Sequence, residues 1–187
     1  ENVYFSNLES ASNNLMDVIH NLSEIANIQT DDQKKYVEID IHSTVKKVIS
    51  SIYGIAHNAG VDIRFDSQNS LTVIGDYAYL ESVVLNLLTN AIKYKSDKRE
   101  SFVEIKITQE EDFVCLKVID NGLGIDLERQ GRKIFGMYKT FHYTENSRGL
   151  GLFITKNQME AMGGWIEVES EVNIGSKFNL YFKKNND

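Results

Sequence analysis

Proline is absent from this chain of 187 residues, and cysteine occurs once. The single cysteine, Cys115, cannot close an internal disulfide, and its place in the apolar run FVCLKVI predicts a small core residue in a reducing, intracellular compartment. Apolar runs fall far short of the roughly 20 residues a membrane-spanning helix needs, and no signal peptide is recognisable. A basic stripe is also missing. The formal charge is −7, which argues against nucleic acid as a partner, because phosphate-backbone binding needs a concentrated basic face. Internal repeats and low-complexity segments are absent. What is present, 42% hydrophobic and 25% charged residues, is the material of one substantial core with an appendage.

The first seven residues, ENVYFSN, resemble a protease site left from an expression tag with one residue missing, and they are set aside. Residues 8–29 carry apolar side chains at Leu8, Ala11, Leu15, Val18, Leu22 and Ile25, the seam of one helix in a bundle whose other members lie outside this sequence or on a second copy. TDDQKK at 30–35 reads as a linker. A strand is expected at 36–41 and a helix at 43–58, closed by Asn58 to Gly60. VDIRF and LTVIG read as strands, and Asp76 is placed to cap the next helix. FVEIKITQ and FVCLKVID predict an antiparallel hairpin. The span 126–148 shows no clean period and predicts a long loop of the kind that forms functional lids. A helix at about 150–162 and the strands WIEVES and KFNLYFK follow.

The stretch LESVVLNLLTNAIKY, residues 80–94, organises the rest. Leu80, Val83, Val84, Leu87, Leu88, Ala91 and Ile92 follow the spacing of an amphipathic helix. Asn86, Asn90, Lys93 and Tyr94 fall in a band about 100° wide beside that stripe, half-buried at the margin of a core. Asparagine is a poor interior helix former. Two of them one turn apart, with an amine further along, fit either a polar ligand or the solvated edge of a core helix.

Two glycine-rich pieces bear on that choice: Asp120-Asn121-Gly122-Leu123-Gly124 after a strand, and Arg148-Gly149-Leu150-Gly151-Leu152 opening a helix. Neither is a Walker loop or a full GxGxxG. Together with the asparagine helix they resemble the ATP-binding domain shared by histidine kinases, DNA gyrase, the MutL repair proteins and the heat-shock chaperone ATPases. In order and spacing, residues 36–184 are most similar to the histidine kinase branch. NLLTNAIKY resembles its N box, DNGLGI its first glycine box, KIFGMYKTF its phenylalanine box and RGLGL its second glycine box, while GGWIEVES and GSKFNLYF resemble its closing strands.

That resemblance implies an α+β fold, a two-layer sandwich of a mixed sheet with three helices on one face, binding ATP and Mg²⁺. It implies that Asp120 accepts from the adenine amino group, with Gly122 and Gly124 giving room at the base and Gly124 hinging the lid. Asn90 corresponds to the Mg²⁺ ligand, an amide oxygen suited to a hard ion, with Asn86 supporting it. Lys93 would contact phosphate, and Tyr94 would pack near the base or be an ordinary core tyrosine. Gly149 and Gly151 would turn backbone N–H groups toward the phosphates at a helix start. Ile125, Leu150, Leu152 and Ser176 complete the implied nucleotide-binding set, with Phe135 as lid anchor. Here the family's FxPF is Phe135-Gly136-Met137-Tyr138, without the proline. Arg148 stands where many relatives have glycine, as a phosphate contact or a solvated loop residue.

In gyrase-like and chaperone-like relatives a glutamate four residues before the metal asparagine acts as base for water. This chain has Asn86 there, which cannot take a proton, so the resemblance implies phosphoryl transfer, with Asn86, Lys93 and Arg148 nearest the reaction. The family's acceptor histidine is usually followed by an acidic or polar residue and then proline. No proline exists here, and the histidines are His20, His42, His57 and His142. His20 sits where the second bundle helix would place a packing histidine, so the acceptor is expected outside this sequence. The resulting division is 1–7 tag remnant, 8–33 second helix of the dimerisation bundle plus linker, and 34–187 ATP-binding catalytic domain. Expected partners are a histidine-bearing bundle helix, a response regulator receiver domain and a second copy in a homodimer, in the cytoplasm or the cytoplasmic part of a membrane-bound sensor. A protein serine kinase of the same superfamily and a non-catalytic nucleotide-binding module are the alternatives; the seam at 8–29 speaks against the former.

Overall fold

The computed structural model describes residues 36–66, 71–136 and 150–184, together with the isolated Phe5 and Ser12. The expected bundle helix at 8–29 with His20, and His142, Arg148 and Gly149, lie outside the described residues.

Strand β1 (Val37–Asp40) is shorter than expected because helix α1 (Ile41–Ala59) begins two residues early. The cause is Asp40, whose side chain accepts from the backbone N–H of His42 and Ser43 at 2.9 and 3.2 Å, satisfying two donors that a helix start leaves without partners. Gly60 closes α1 in the left-handed conformation at φ 66, as expected of a glycine at that position. Strands β2 (Val61–Phe65) and β3 (Thr72–Gly75) follow, then α2 (Tyr77–Lys93), capped by Asp76, which accepts from the Tyr79 N–H at 3.0 Å.

Strands β4 (Ser101–Gln109) and β5 (Phe113–Asp120) form the expected hairpin. The span expected to be loop opens instead with a short helix, α3 (Leu127–Gln130), and a 3-10 turn (Gly131–Phe135). A helix of four residues is too short to display a period of 3.6. Its signal was local, an Asp126 cap accepting from the Arg129 N–H at 3.0 Å. Helix α4 (Gly151–Ala161) and strands β6 (Trp165–Glu171) and β7 (Gly175–Lys183) close the chain.

The main sheet has the order β2-β4-β5-β7-β6, with β2 and β4 parallel and the other pairs antiparallel; β1 and β3 pair separately. This is the α+β sandwich expected. One face of the sheet, through Val103, Ile105, Val114, Leu116, Val118, Phe178 and Leu180, meets the apolar stripes of α1 and α2 in a single core. Leu88 of α2 is fully buried there, and Leu88→Ala would cost about 2–5 kcal/mol. Cys115 points to the other face and is also fully buried, as its apolar run predicts, and burial pushes its thiol up. Among the described residues no helix is long and apolar enough to cross a membrane.

Candidate functional site

Helices α2 and α4 meet along a polar seam. The Asn86 amide donates to the Thr155 hydroxyl at 2.7 Å, and one turn earlier on α2 the Gln158 amide donates to the Ser82 hydroxyl at 3.1 Å. Asn86 also accepts, through Oδ1, from the Asn90 amide at 3.4 Å. Gly151 begins α4 against Asn86, so closely that a Cβ there would overlap Asn86 Oδ1. Asn90 and the first turn of α4 therefore both border Asn86. Four backbone N–H groups at such a helix start have no partner within the helix, and the helix dipole favours negative charge there.

About 12 Å further along, eight residues at 1.5 Å each, α2 ends on Tyr94. Here the loop after β5 is packed by its backbone. The Leu123 N–H donates to the Tyr94 carbonyl at 2.9 Å, and a Cβ on Gly122 would overlap that same carbonyl oxygen. Gly124, at φ 67, presses against the Glu171 carbonyl, and the Asn173 N–H donates to the Leu123 carbonyl at 2.7 Å. Ser170 accepts from the Ile125 N–H at 2.8 Å and lies 2.9 Å from the Ser176 hydroxyl. Asn121 bridges to β4, accepting from the Phe102 N–H at 2.9 Å and donating to the Glu100 carbonyl at 2.8 Å.

Asp120 sits in this frame half-buried, its Oδ1 accepting from the Gly122 N–H at 2.8 Å. Burial holds its carboxyl above the usual carboxylate range, while backbone N–H donors from Gly122 and Ser176 pull the other way without winning. The residue is thus an acceptor kept away from water, primed for a donor that would replace the missing hydration.

The structure brings most of the expected residues to two places along α2, its middle and its C-terminal end. Asn86, Asn90, Gly151 and Leu152 lie at one, Tyr94, Asp120, Gly122, Gly124, Ile125 and Ser176 at the other, and Leu150 is buried just before α4. Of the four polar residues expected at the core margin, Asn86, Asn90 and Tyr94 are half-buried, but Lys93 is exposed, with its ammonium 5.7 Å from the centre of the Tyr94 ring. Desolvation still holds that ammonium below the ordinary lysine range. Phe135 packs on the core from the 3-10 turn. Gly124, expected as a hinge, lies in its left-handed conformation against the Glu171 and Gly175 carbonyls at the β6–β7 turn. Sequence reasoning missed Thr155, Gln158, Ser82, Ser170 and Asn121. Thr155 and Gln158 stand at i, i+3, but Lys156 and Asn157 lie between them, so no local signal marked either as buried.

A helix with two stacked asparagines packed against another helix start, and a half-buried carboxylate beside its C-terminus, make an α+β domain of the kind the comparisons identify. Residues 75–186 match the family described as histidine kinase-, DNA gyrase B- and HSP90-like ATPase, and the chain belongs to that family. It is 32% identical over 166 residues to the heme sensor protein HssS of Staphylococcus saprophyticus, covering 87% of this chain and 34% of HssS. To the sensor-like histidine kinase SenX3 of Mycobacterium tuberculosis it is 31% identical over 173 residues, covering 90% of this chain and 42% of SenX3. The chain thus spans well under half the length of these relatives. The catalytic domain of histidine kinase ThkA superposes with a TM-score of 0.71 at 25% identity, over 81% of this chain and 99% of that one. Within that family the chain is similar to a sensor-like histidine kinase and to a histidine kinase catalytic domain that it matches along almost all of that domain's length.

Proposed function

We propose that residues 34–187 form the catalytic domain of a sensor histidine kinase, which binds Mg-ATP and delivers its γ-phosphoryl group to a histidine on a dimerisation bundle. Residues 8–33 would supply the second helix of that bundle and its linker. A histidine-bearing helix, a receiver domain downstream and a homodimeric full-length protein in the cytoplasm, free or below a membrane sensor, are the partners and setting this reading requires.

The observation that carries the reading is that the Asn86–Asn90 seam, packed against the start of α4, and the half-buried Asp120, whose loop is bonded to the Tyr94 carbonyl, are joined by the last turns of one helix. Asp120 would accept from the adenine amino group, in a pocket bounded by Tyr94, Gly122, Ile125 and Ser176. The seam-facing start of α4, with Gly149, Leu150, Gly151 and Leu152, would receive the β- and γ-phosphates, helped by Lys93 and by Arg148. Phe135 would anchor the segment covering them.

Mg²⁺ fits the donor set. Among the described residues no cluster of three or more His, Cys, Asp or Glu exists, so a cation here must find its countercharge on the triphosphate, with Asn90 lending a neutral oxygen. Mg²⁺ is commonly held in this way, by few protein groups, several waters and substrate phosphates. When bound it would neutralise charge on the phosphate oxygens. The chain's own work would be positioning: Asn90 gives its Nδ2 to Asn86, which leaves its Oδ1 for the ion, and the uncapped start of α4 would offer backbone N–H groups to the phosphates. No base stands at the hydrolytic position. Asn86 has both ends of its amide engaged, by Thr155 and Asn90, so transfer to an incoming imidazole is favoured over attack by water.

The test is a titration of Mg-ATP into the wild type and Asp120→Asn, followed by incubation with a histidine-bearing bundle helix. Binding that the variant loses, and acid-labile labelled phosphate on the bundle, are expected. Absence of binding by the wild type would end the proposal; binding without transfer would leave a non-catalytic nucleotide module instead.

A further inference from the structure

The seam between α2 and α4 does more than join two helices. Its rungs run antiparallel: Ser82 faces Gln158 and Asn86 faces Thr155, while Gly151, one turn before Thr155, also abuts Asn86, and Asn90 follows Asn86 one turn along α2. Thr155 is 0% exposed and Gln158 1%, and Gln158 Oε1 has no hydrogen-bond partner. Polar side chains are costly in such a place, and an apolar pair of the same volume would hold the helices together as well.

An asparagine amide can face either way, presenting oxygen or nitrogen to its neighbour. The Thr155 hydroxyl takes the Asn86 Nδ2 at 2.7 Å, which directs Asn86 Oδ1 toward Asn90. Asn90 then donates its own Nδ2, at 3.4 Å, and its Oδ1 is left directed away from Asn86. That second bond is long and weak, so by itself it would not fix which way either amide faces. Of the two bonds, the short one to the fully buried Thr155 is the stronger constraint on the Asn86 amide, and through it on Asn90.

We propose that Thr155 is a positioning residue for the cation site: through Asn86 it sets the amide orientation of Asn90, so that an oxygen rather than an NH₂ group meets the metal. This rests on the reading of Asn90 as a Mg²⁺ ligand. Residues that orient a metal ligand typically change metal affinity by roughly 10- to 100-fold when removed.

The experiment compares wild type, Thr155→Val and Thr155→Ser. ATP affinity is measured by calorimetry across a Mg²⁺ series and in chelator, and the side-chain NH₂ signals of Asn86 are followed by NMR in the nucleotide-free domain. In the valine variant the Mg²⁺ concentration needed for half-maximal gain in ATP affinity should rise roughly 10-fold or more. Affinity in chelator should be unchanged, and the Asn86 signals should move. Serine should restore both. Should valine not be accommodated, Thr155→Ala against Thr155→Ser makes the same comparison. Equal Mg²⁺ midpoints in wild type and valine variant, with ATP still bound, would overturn this inference alone; a wild type that binds no ATP would overturn it together with the proposed function.

Discussion

The middle of α2 and its C-terminal end are built by different means. At Asn86 the partners are side chains, Thr155, Asn90 and, a turn away, the Ser82–Gln158 pair, and each can be altered without moving the backbone. At Tyr94 backbone carbonyls and N–H groups dominate, locked where Gly122 meets Tyr94 and Gly124 meets Glu171, with the Ser170 hydroxyl and the Asn121 amide as side-chain ties. Substitution should therefore act on ligand binding at the first and on folding at the second, with Asp120 as the exception that proves separable.

The largest effect should come from Gly124→Ala. Its φ of 67 disfavours any side chain, and the new Cβ would overlap the Glu171 carbonyl, which cannot swing aside. A loss of about 3 kcal/mol or more is expected in a denaturant melt. Wild-type stability in that variant would show the β5 end to be looser than its packing implies.

Asp120→Asn should separate binding from stability. Replacing a charged acceptor by an amide is expected to weaken ATP by about 1.5–3 kcal/mol, on the order of 10- to 100-fold. Because burial raises the carboxyl above its unfolded range, ionisation opposes folding, and the variant should melt no lower than wild type at neutral pH. A melt that falls together with ATP affinity would mean that Asp120 is structural.

Gly151→Ala sharpens the contrast with Gly124. Its Cβ would meet a movable side chain, Asn86, instead of backbone, so melting should change by about 1 kcal/mol or less. Mg²⁺-dependent ATP binding should nonetheless weaken, because Asn86 is pushed off Thr155. Calorimetry beside a thermal melt separates the two outcomes.

The pH dependence is smaller but has a definite sign. With a raised folded value, the contribution of Asp120 to stability is full below the unfolded carboxylate range and is lost as pH rises through the folded value. ATP binding runs oppositely: it needs the ionised acceptor and should weaken as pH falls through that same raised value, sooner than an ordinary aspartate would allow. Across mildly acid pH the differences between wild type and Asp120→Asn in melting and in ATP affinity should move in opposite directions, the comparison removing groups such as His42 that both proteins share.

How much of this could be read along the chain depends on the distance over which each feature is encoded. The stripe from Leu80 to Ile92, the Asp76 cap and the β4–β5 hairpin are local patterns, and they were visible. Asn86 and Asn90 were visible for the same reason, one turn apart on a helix. Thr155 and Gln158 were not, because their partners Asn86 and Ser82 lie 69 and 76 residues away and nothing in the α4 segment names them. The glycines of the β5 loop were visible as glycines, but the carbonyls that require them, Tyr94 and Glu171, belong to other elements. The early start of α1 turned on Asp40, readable as a cap but hidden inside an alternating run.

The central claim is that one nucleotide lies along α2 with its base at Asp120 and its phosphates at Asn90. ATP titrated with and without Mg²⁺ into wild type and Asn90→Ala tests it most directly. The account predicts that the variant keeps the Mg²⁺-free affinity of the wild type and loses the gain that Mg²⁺ confers. A variant that retains the full Mg²⁺ gain, or that loses Mg²⁺-free binding equally, would contradict it.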